Sequence, residues 1–140
     1  MSRGKFLKFN PKKQYFWENY VFLVVEDEII NLKFIELTLK KTGAAVILAK
    51  SGREAVDISN SGVKIDVILM DIELPEVNGY DAVLEIRKTR KDVIIIAQTA
   101  YAMKAQRDLC FEVGCTDYLA KPYSSYDLMD IICIHLEKER

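Results

Sequence analysis

The chain has 140 residues, half of them apolar and 29% charged, which is the balance of one globular domain with its own core. Its formal net charge of −1 gives no support to a whole-surface attraction for nucleic acid or an acidic membrane. No apolar stretch approaches the roughly 20 residues of a membrane span, and no signal-peptide apolar region is present at the amino terminus. We therefore expect a cytoplasmic domain without direct nucleic-acid or membrane contact, although another segment could tether it.

The first 19 residues differ in composition from the rest of the chain. They contain five basic residues and no acid before Glu18, and they show no sustained periodicity. We interpret 1–19 as a linker or appended arm with a short aromatic anchor, Tyr15-Phe16-Trp17. The basic run is interpreted as a solvated tail, with nucleic-acid contact as the alternative. The domain itself is predicted to cover 20–137, followed by a tail at 138–140.

From residue 20 onward, apolar segments alternate with amphipathic ones five times. The predicted strands are 20–25, 44–49, 65–70, 93–98 and 117–120. The predicted helices are 29–41, 52–60, 79–89, 103–113 and 125–137. Continuously apolar strands such as Val93–Ala97 indicate a sheet that is covered on both faces and is therefore parallel. Right-handed crossovers then give a three-layer α/β sandwich with a five-stranded parallel sheet.

Several helix ends carry local signals. Ser51 and Glu54 form a capping-box pattern at the start of the second helix, and Ser124 and Asp127 form another at the start of the fifth. Gly114 lies just past the fourth helix, where a left-handed residue commonly ends a helix. These signals support the predicted helix boundaries.

Polar side chains follow four of the predicted strands at their carboxyl ends, the edge of an α/β sheet where ligands bind. They are Glu26 and Asp27, Asp71, Thr99 and Lys121. A carboxylate cluster suits a hard cation such as Mg²⁺, and an aspartate can act as a nucleophile toward phosphorus. Phosphoryl transfer mainly requires positioning and neutralisation of charge on three oxygens. A divalent ion, the lysine ammonium and the threonine hydroxyl could supply that neutralisation.

Each of these residues also has an ordinary structural interpretation when taken alone. Asp27 or Glu28 could simply cap the first helix and favour the positive end of its dipole. Asp71 could be a turn former, while Thr99 and Lys121 could be an ordinary strand end and a solvated lysine. The joint arrangement argues against these interpretations, because five unrelated residues would have to line one edge.

In order and spacing, these residues resemble the receiver domain of two-component response regulators, over residues 20 to about 136. The matching elements are Val25-Glu26-Asp27, Met70-Asp71-Ile72-Glu73-Leu74-Pro75, Asn78-Gly79, Thr99-Ala100, Tyr118 and Lys121-Pro122. The resemblance implies a flavodoxin-like sheet of strand order 2-1-3-4-5. It also implies that the domain takes a phosphoryl group from the phosphohistidine of a histidine kinase or histidine phosphotransfer protein.

The stretch Thr99–Lys104 is especially similar to receivers attached to hybrid sensor histidine kinases. The amino-terminal arm would then be a linker from a kinase domain, and the chain could be the cytoplasmic part of a membrane-bound sensor. The sequence does not indicate the oligomeric state.

The resemblance also assigns the Mg²⁺ ligands. Asp27 would bind the ion directly, and Asp71 would be both the phosphoacceptor and a second ligand. The backbone carbonyl of Glu73 would be the third ligand, while Glu26 would act through water.

Other residues would act on the phosphoryl group or respond to it. Thr99 and Lys121 would contact the group, and Thr99 and Tyr118 would form the switch that alters the face of helix four, strand five and helix five. Taken alone, Tyr118 is more typical of a core residue. Glu73 and Tyr101, each two residues past a site residue, are expected to tune hydrolysis by admitting or blocking water.

Helix one has more apolar residues than a buried stripe requires. We expect Phe34 and Ile35 to face the sheet. Three other apolar residues would face outward and form a docking surface for a histidine-containing partner, and they are Ile29, Leu32 and Leu37. Alternatively, Phe16-Trp17 could fold back and cover them. His135, in the last helix, is predicted to lie at the surface and not to act as a phosphodonor.

Other function classes fit less well. A haloacid-dehalogenase-like phosphatase needs a second aspartate two residues after its nucleophile, where this chain has Glu73. A flavodoxin would need phosphate donors in the first loop, where Glu26-Asp27-Glu28 would repel the phosphate. No G-x-x-x-x-G-K-[ST] motif is present. The remaining alternative is a pseudo-receiver, an interaction module that works without phosphorylation.

Overall fold

Five parallel strands form one sheet in the computed structural model, which describes residues 15–139. They are β1 (Val21–Val25), β2 (Ala45–Ala49), β3 (Val67–Asp71), β4 (Ile94–Thr99) and β5 (Asp117–Ala120). Their spatial order is β2-β1-β3-β4-β5, and every neighbouring pair is parallel. The predicted sheet order and strand direction are confirmed.

Five helices alternate with the strands along the chain. They are α1 (Ile29–Lys40), α2 (Gly52–Asn60), α3 (Gly79–Thr89), α4 (Lys104–Val113) and α5 (Ser125–Glu139). Two apolar cores form, one on each face of the sheet. One core contains side chains of α1 and α5, and the other contains side chains of α2, α3 and α4. This is the predicted three-layer sandwich.

The alternation of side chains along β1 shows how one strand serves both cores. Phe22 and Val24 enter the core beneath α1 and α5, whereas Leu23 and Val25 enter the opposite core. The central strands β3 and β4 are buried along their whole length, while β2, at an edge, is largely half-buried. The continuously apolar strands are therefore those covered on both faces, as expected for a parallel sheet.

The helix-end signals agree closely with the structure. At α5, Ser124 and Asp127 cap each other: the Ser124 N–H donates to the Asp127 carboxylate at 3.0 Å, and the Asp127 N–H donates to the Ser124 hydroxyl at 3.1 Å. At α2 the Ser51 hydroxyl accepts from the Glu54 N–H at 3.0 Å. The carboxylate of Glu54, however, accepts from the backbone N–H of Lys50, whereas a capping box would use the N–H of Ser51. Gly114 ends α4 with φ +114, in the left-handed region.

The aromatic anchor before β1 is part of the core. Trp17 is only 5% exposed, and its ring stacks on that of Phe22 at a centroid distance of 5.7 Å. The backbone N–H of Trp17 donates to the carbonyl of Thr42 at 2.8 Å. Phe16, its neighbour, is 62% exposed. The basic run of the arm lies outside the described residues. At the other end, α5 continues to Glu139, past the predicted end of the helix.

Two smaller features concern membrane-spanning helices and thiols. Within residues 15–139, no helix has both the length and the apolar character to cross a bilayer. Cys110, Cys115 and Cys133 are free thiols, and all three are buried.

We predict that Trp17→Ala lowers the free energy of unfolding by about 3 to 5 kcal/mol, because it removes a large buried ring and leaves a cavity. Phe16→Ala is the matched control, since it removes an exposed ring one residue earlier, and it should change that free energy by less than about 1 kcal/mol. Urea unfolding followed by circular dichroism measures both. Equal losses in the two variants would show that Trp17 is not an integral part of the core.

Candidate functional site

Three carboxylates meet at the carboxyl edge of the sheet. β1 and β3 are parallel neighbours with Val25 opposite Met70, so the residues that follow them, Glu26 and Asp71, lie side by side. Oxygens of Glu26, Asp27 and Asp71 all lie within 4.8 Å of one another. Glu26 and Asp71 are buried, and Asp27 is exposed. The predicted acidic cluster therefore exists, and its all-oxygen donor set is the kind that a hard divalent cation prefers.

Lys121 places its ammonium against the two buried carboxylates. Its Nζ lies 3.1 Å from Asp71 Oδ1 and 3.5 Å from Glu26 Oε1. The backbone holds the residue in place, because the Lys121 N–H donates to the carbonyl of Thr99 at 2.8 Å. Burial acts to lower the pKa of Lys121, but the charges of Asp71 and Glu26 outweigh it and raise that pKa. Lys121 is therefore a fixed positive charge in the site.

Glu26 also organises the start of α1. Its carboxylate accepts from Asn31 Nδ2 at 2.6 Å and from the Glu28 N–H at 3.1 Å. Glu28 occupies the N-cap position but makes no side-chain capping hydrogen bond. The interpretation of Glu28 as a capping side chain is therefore wrong, because Glu26 accepts a backbone N–H at this helix start. The role of Asn31 was not predicted; its sequence signal is its position on the helix, five residues past Glu26.

Thr99 lies at the end of β4 and makes hydrogen bonds to the loop after β3. Its hydroxyl donates to Glu73 Oε2 at 2.7 Å and accepts from the Tyr101 N–H at 2.9 Å. The Ala100 N–H donates to Glu73 Oε1 at 2.8 Å. The N–H of Glu73 in turn donates to Asp71 Oδ1 at 3.1 Å. Glu73 thus links the ends of β3 and β4.

The Asn78-Gly79 step after this loop has a geometric reason. The side chain of Asn78 caps α3 by accepting from the Asp81 N–H at 3.0 Å. A Cβ on Gly79 would lie 2.5 Å from the carbonyl oxygen of Asp71 and 2.6 Å from the Cα of Ile72, so only glycine lets α3 begin this close to the strand end. The Gly79 N–H donates to the carbonyl of Ile72 at 2.9 Å and fixes this approach.

Glu73, Lys121 and the three carboxylates of the acidic cluster line an open cleft of about 830 Å³. Its floor holds the carboxylates and Lys121, and its walls include Ile30, Phe34, Tyr101 and Tyr123. Tyr101 is 61% exposed, and its place in the cleft wall is consistent with the predicted position beside the site. A cleft with a charged floor and apolar walls can receive a charged group carried by an apolar protein surface.

A hydrogen bond between Tyr123, in the cleft wall, and Gln98 on β4 was not predicted. The Tyr123 hydroxyl donates to the amide oxygen of Gln98, which is fully buried. Burial, followed by the nearby charge of Glu26, raises the pKa of Tyr123 above its usual value. Among the described residues, Gln98 Nε2 has no hydrogen-bond partner. The sequence signal, a glutamine in an otherwise apolar strand, was present but was not interpreted.

Tyr118, the expected switch residue, is half-buried on β5 and does not line the cleft. Its ring meets the edge of Phe111 at 6.1 Å, and the guanidinium of Arg107 lies 6.0 Å from its centre. The core interpretation and the switch interpretation therefore both remain compatible with its place beside α4.

The expected docking residues of α1 divide into two groups. Ile29 and Leu37 are each 62% exposed, but Leu32 is only 4% exposed, so the prediction that Leu32 faces outward is wrong. At 100° per residue, Leu32 lies about 20° from the buried Leu39 on the helix surface. Ile30, which was not among the predicted docking residues, lies about 20° from Leu37 and is 78% exposed.

Three further expectations concern the sheet-facing side of α1, the amino-terminal arm and His135. Ile35 is buried, and Phe34 packs against the same core, as predicted. Trp17 lies in the core and Ile29 stays exposed, so the described part of the arm does not cover the outer face of α1. The prediction that His135 lies at the surface is wrong: its side chain is 11% exposed, and its Nε2 lies 2.8 Å from the carboxylate of Asp117 on β5.

Comparison with known proteins identifies this arrangement. The family described as the response regulator receiver domain matches residues 22–133. The chain belongs to the response regulator receiver family. This receiver is 35% identical over 130 residues to hybrid signal transduction histidine kinase I of Dictyostelium discoideum, covering 84% of this chain. It spans only 8% of that kinase's length.

Two solved structures extend the comparison. The receiver domain of a sensor histidine kinase from Pseudomonas aeruginosa PAO1, with a magnesium ion coordinated in its active-site cleft, is 39% identical at a TM-score of 0.74. That match covers 81% of this chain and 93% of the other. The Saccharomyces cerevisiae receiver Ssk1, solved with the histidine phosphotransfer protein Ypd1, is 34% identical at a TM-score of 0.73. It covers 79% of this chain and 83% of that chain.

The electrostatics of the receiver centre on Asp71. Burial, then the charge of Glu26, raises the pKa of Asp71 from 3.8 to about 6, although Lys121 acts in the opposite direction. Because the folded receiver holds this proton more tightly than the unfolded chain, the fold loses stability as pH rises from about 4 to about 6. Above that window the cost of the buried charge is constant.

We predict that, in metal-free buffer, Asp71→Asn stabilises the receiver at pH 7 by on the order of 2 kcal/mol, because it removes the buried charge. The advantage should shrink as pH falls toward 4, where the carboxyl group of the unsubstituted protein is protonated. Urea unfolding at several pH values with a chelator present measures it. Asp57→Asn, at an exposed position on α2, is the control for loss of a surface carboxylate. A stability difference for Asp71→Asn that does not vary with pH would contradict the account.

Proposed function

We propose that Asp71 is the phosphoacceptor of this receiver and takes a phosphoryl group from a phosphohistidine. The observation that carries the proposal is a buried carboxylate at the floor of an open cleft with the Lys121 ammonium 3.1 Å away. In the transfer, an oxygen of Asp71 forms a bond to phosphorus while the bond between phosphorus and the histidine nitrogen breaks. The electron pair of that bond stays on the imidazole.

The acidic cluster supports Mg²⁺ as the cofactor. The described cluster offers only carboxylate oxygens, which fits a hard ion and not one that prefers nitrogen or sulfur ligands. Asp27, Asp71 and the backbone carbonyl of Glu73 would hold the ion, with Glu26 acting through water. Bound there, Mg²⁺ would supply charge neutralisation for the phosphoryl oxygens. The magnesium in the Pseudomonas aeruginosa receiver supports the same assignment.

Lys121 and Thr99 would complete the site. The Lys121 ammonium would neutralise one phosphoryl oxygen, and the Thr99 hydroxyl would donate to another. Thr99 and Tyr118 would then form the switch that changes the face made by α4, β5 and α5. Tyr101, in the cleft wall, would shield the phosphoryl group from water, and Glu73 would share in setting its lifetime.

The partner would be a histidine kinase or a histidine phosphotransfer protein, and the domain would act in the cytoplasm without direct contact to nucleic acid or membrane. Attachment to a hybrid kinase is supported by the Dictyostelium discoideum relative. The docking surface would be the exposed apolar face of α1 next to the cleft, and its members are Ile29, Ile30 and Leu37. The Ssk1–Ypd1 complex supports a phosphotransfer protein as the occupant.

Binding of a phosphoryl mimic separates this function from a pseudo-receiver. We predict that beryllofluoride binds to the protein only with Mg²⁺ and that Asp71→Asn abolishes binding, because the mimic bonds to the carboxylate oxygen. Isothermal titration calorimetry measures this, with Asp57→Asn as the control that keeps the site. Failure of the unsubstituted protein to bind the mimic would favour the pseudo-receiver.

We predict that Ile30→Asp slows phosphoryl transfer from a phosphorylated histidine phosphotransfer protein roughly tenfold, because it places a charge in an apolar interface. Transfer from acetyl phosphate, which needs no docking, should keep its rate. Leu84→Asp is the matched control, since Leu84 is 47% exposed on α3, beneath the opposite face of the sheet. Equal slowing with both phosphodonors would mean that Ile30→Asp damages the site and not the docking surface.

A further inference from the structure

The carboxylate of Glu73 occupies two hydrogen-bond donors at the end of β4. The Thr99 hydroxyl donates to Oε2 at 2.7 Å, and the Ala100 N–H donates to Oε1 at 2.8 Å. Each oxygen therefore has its own donor, in the bidentate manner in which an anion is usually held. Glu73 lines the cleft, so this contact lies within the site and not behind it.

The orientation of the Thr99 hydroxyl favours this contact. Its oxygen accepts from the Tyr101 N–H at 2.9 Å, which leaves its single proton for another acceptor. Two acceptors are within reach, Glu73 Oε2 at 2.7 Å and the carbonyl of Tyr101 at 3.3 Å. The carboxylate is both closer and charged, and charge-assisted hydrogen bonds are the shorter and stronger ones.

The same residue is also connected to the acceptor aspartate. The Glu73 N–H donates to Asp71 Oδ1 at 3.1 Å, two residues back along the chain. The carboxylate of Glu73 and the proposed phosphoacceptor are thus attached to one short turn. A phosphoryl group on Asp71 would bring further negative charge close to Glu73 and would need the donors that Glu73 now holds.

We propose that the Glu73 carboxylate is an internal stand-in for phosphoryl oxygens, holding Thr99 and Ala100 in the unphosphorylated state until a phosphoryl group displaces it. This inference rests on the proposed function, since it assumes that Asp71 carries the group. Displacement has two consequences. It weakens binding of any phosphoryl group or mimic, because the internal anion must first leave. It also ties release of Thr99 to phosphorylation, so that the switch residue stays in place without it.

Beryllofluoride affinity at saturating Mg²⁺ tests the competition. Glu73→Ala vacates both donors and should bind the mimic roughly tenfold more tightly than the unsubstituted protein, the order expected for removing a competing hydrogen-bonded anion. Glu73→Gln keeps the side-chain shape but has one acceptor oxygen, so its affinity should lie between those two. Glu76→Gln is the control for charge, because Glu76 is an exposed acid in the same loop, and its effect should stay within about twofold.

A double-mutant cycle shows whether Glu73 acts through Thr99. In a Thr99→Ala background, Glu73→Ala should improve affinity by clearly less than it does alone, since one of the two contested donors is already gone. A gain of the same size in both backgrounds would overturn the role of the Thr99 contact. An NMR spectrum of the backbone amide groups of each variant checks that the fold is retained.

The outcomes separate the inference from the function on which it rests. If the unsubstituted protein binds the mimic but Glu73→Ala binds no more tightly, the stand-in role is wrong and the proposed function survives. If Glu76→Gln gives the same gain as Glu73→Ala, general repulsion explains the effect and the stand-in role also falls. If the unsubstituted protein does not bind the mimic at all, the proposed function and this inference both fail.

Discussion

Two carboxylates are buried side by side with one lysine ammonium against them, and the rest of this receiver has to accommodate these charges. Glu26 and Asp71 are 1% and 2% exposed, and Lys121 contacts both. Taking two like charges out of water is unfavourable, and a single cation compensates for it only in part. The raised pKa of Asp71 is the direct sign of that imbalance. A site in this condition favours the arrival of more positive charge, which is what a divalent cation would bring.

The fold maintains this unfavourable arrangement through contacts made elsewhere. The parallel order of β1, β3, β4 and β5 brings four strand ends to one edge. Gly79 allows α3 to begin against the end of β3, and Asn31 holds Glu26 from α1. The two apolar cores supply the stability that the buried charges reduce. The environment of Asp71 is therefore set by the whole sheet edge and not by one loop.

The residues that could be predicted are those whose position is set by the end of a strand. Asp71 is the last residue of β3 and Lys121 directly follows β5, so the sheet geometry alone brings both to the same edge. Leu32 could not be assigned in the same way, because α1 is apolar around most of its surface and several faces could have been buried. The partners of Gln98 and His135 lie 25 and 18 residues away along the chain, and only the folded structure shows which side chain each one meets.

The direction of the Glu73 side chain shows a further limit. Its position two residues after Asp71 placed it beside the site, and the structure agrees. The sequence could not show that its carboxylate turns toward Thr99, because that depends on the conformation of a loop with its own backbone irregularities, such as φ +64 at Glu76. In folds of this class the functional residues lie largely on loops that follow strands, and the side-chain orientations in these loops are the hardest feature to predict from sequence.

The central claim is that Asp71 accepts the phosphoryl group, and chemical mapping of the modified residue tests it most directly. After phosphorylation with Mg²⁺, borohydride reduces an aspartyl phosphate to homoserine, which peptide mass spectrometry then locates in the chain. The account predicts homoserine at position 71 in the phosphorylated protein and none in a sample treated without phosphodonor. Homoserine at another aspartate, with position 71 unchanged, would contradict it.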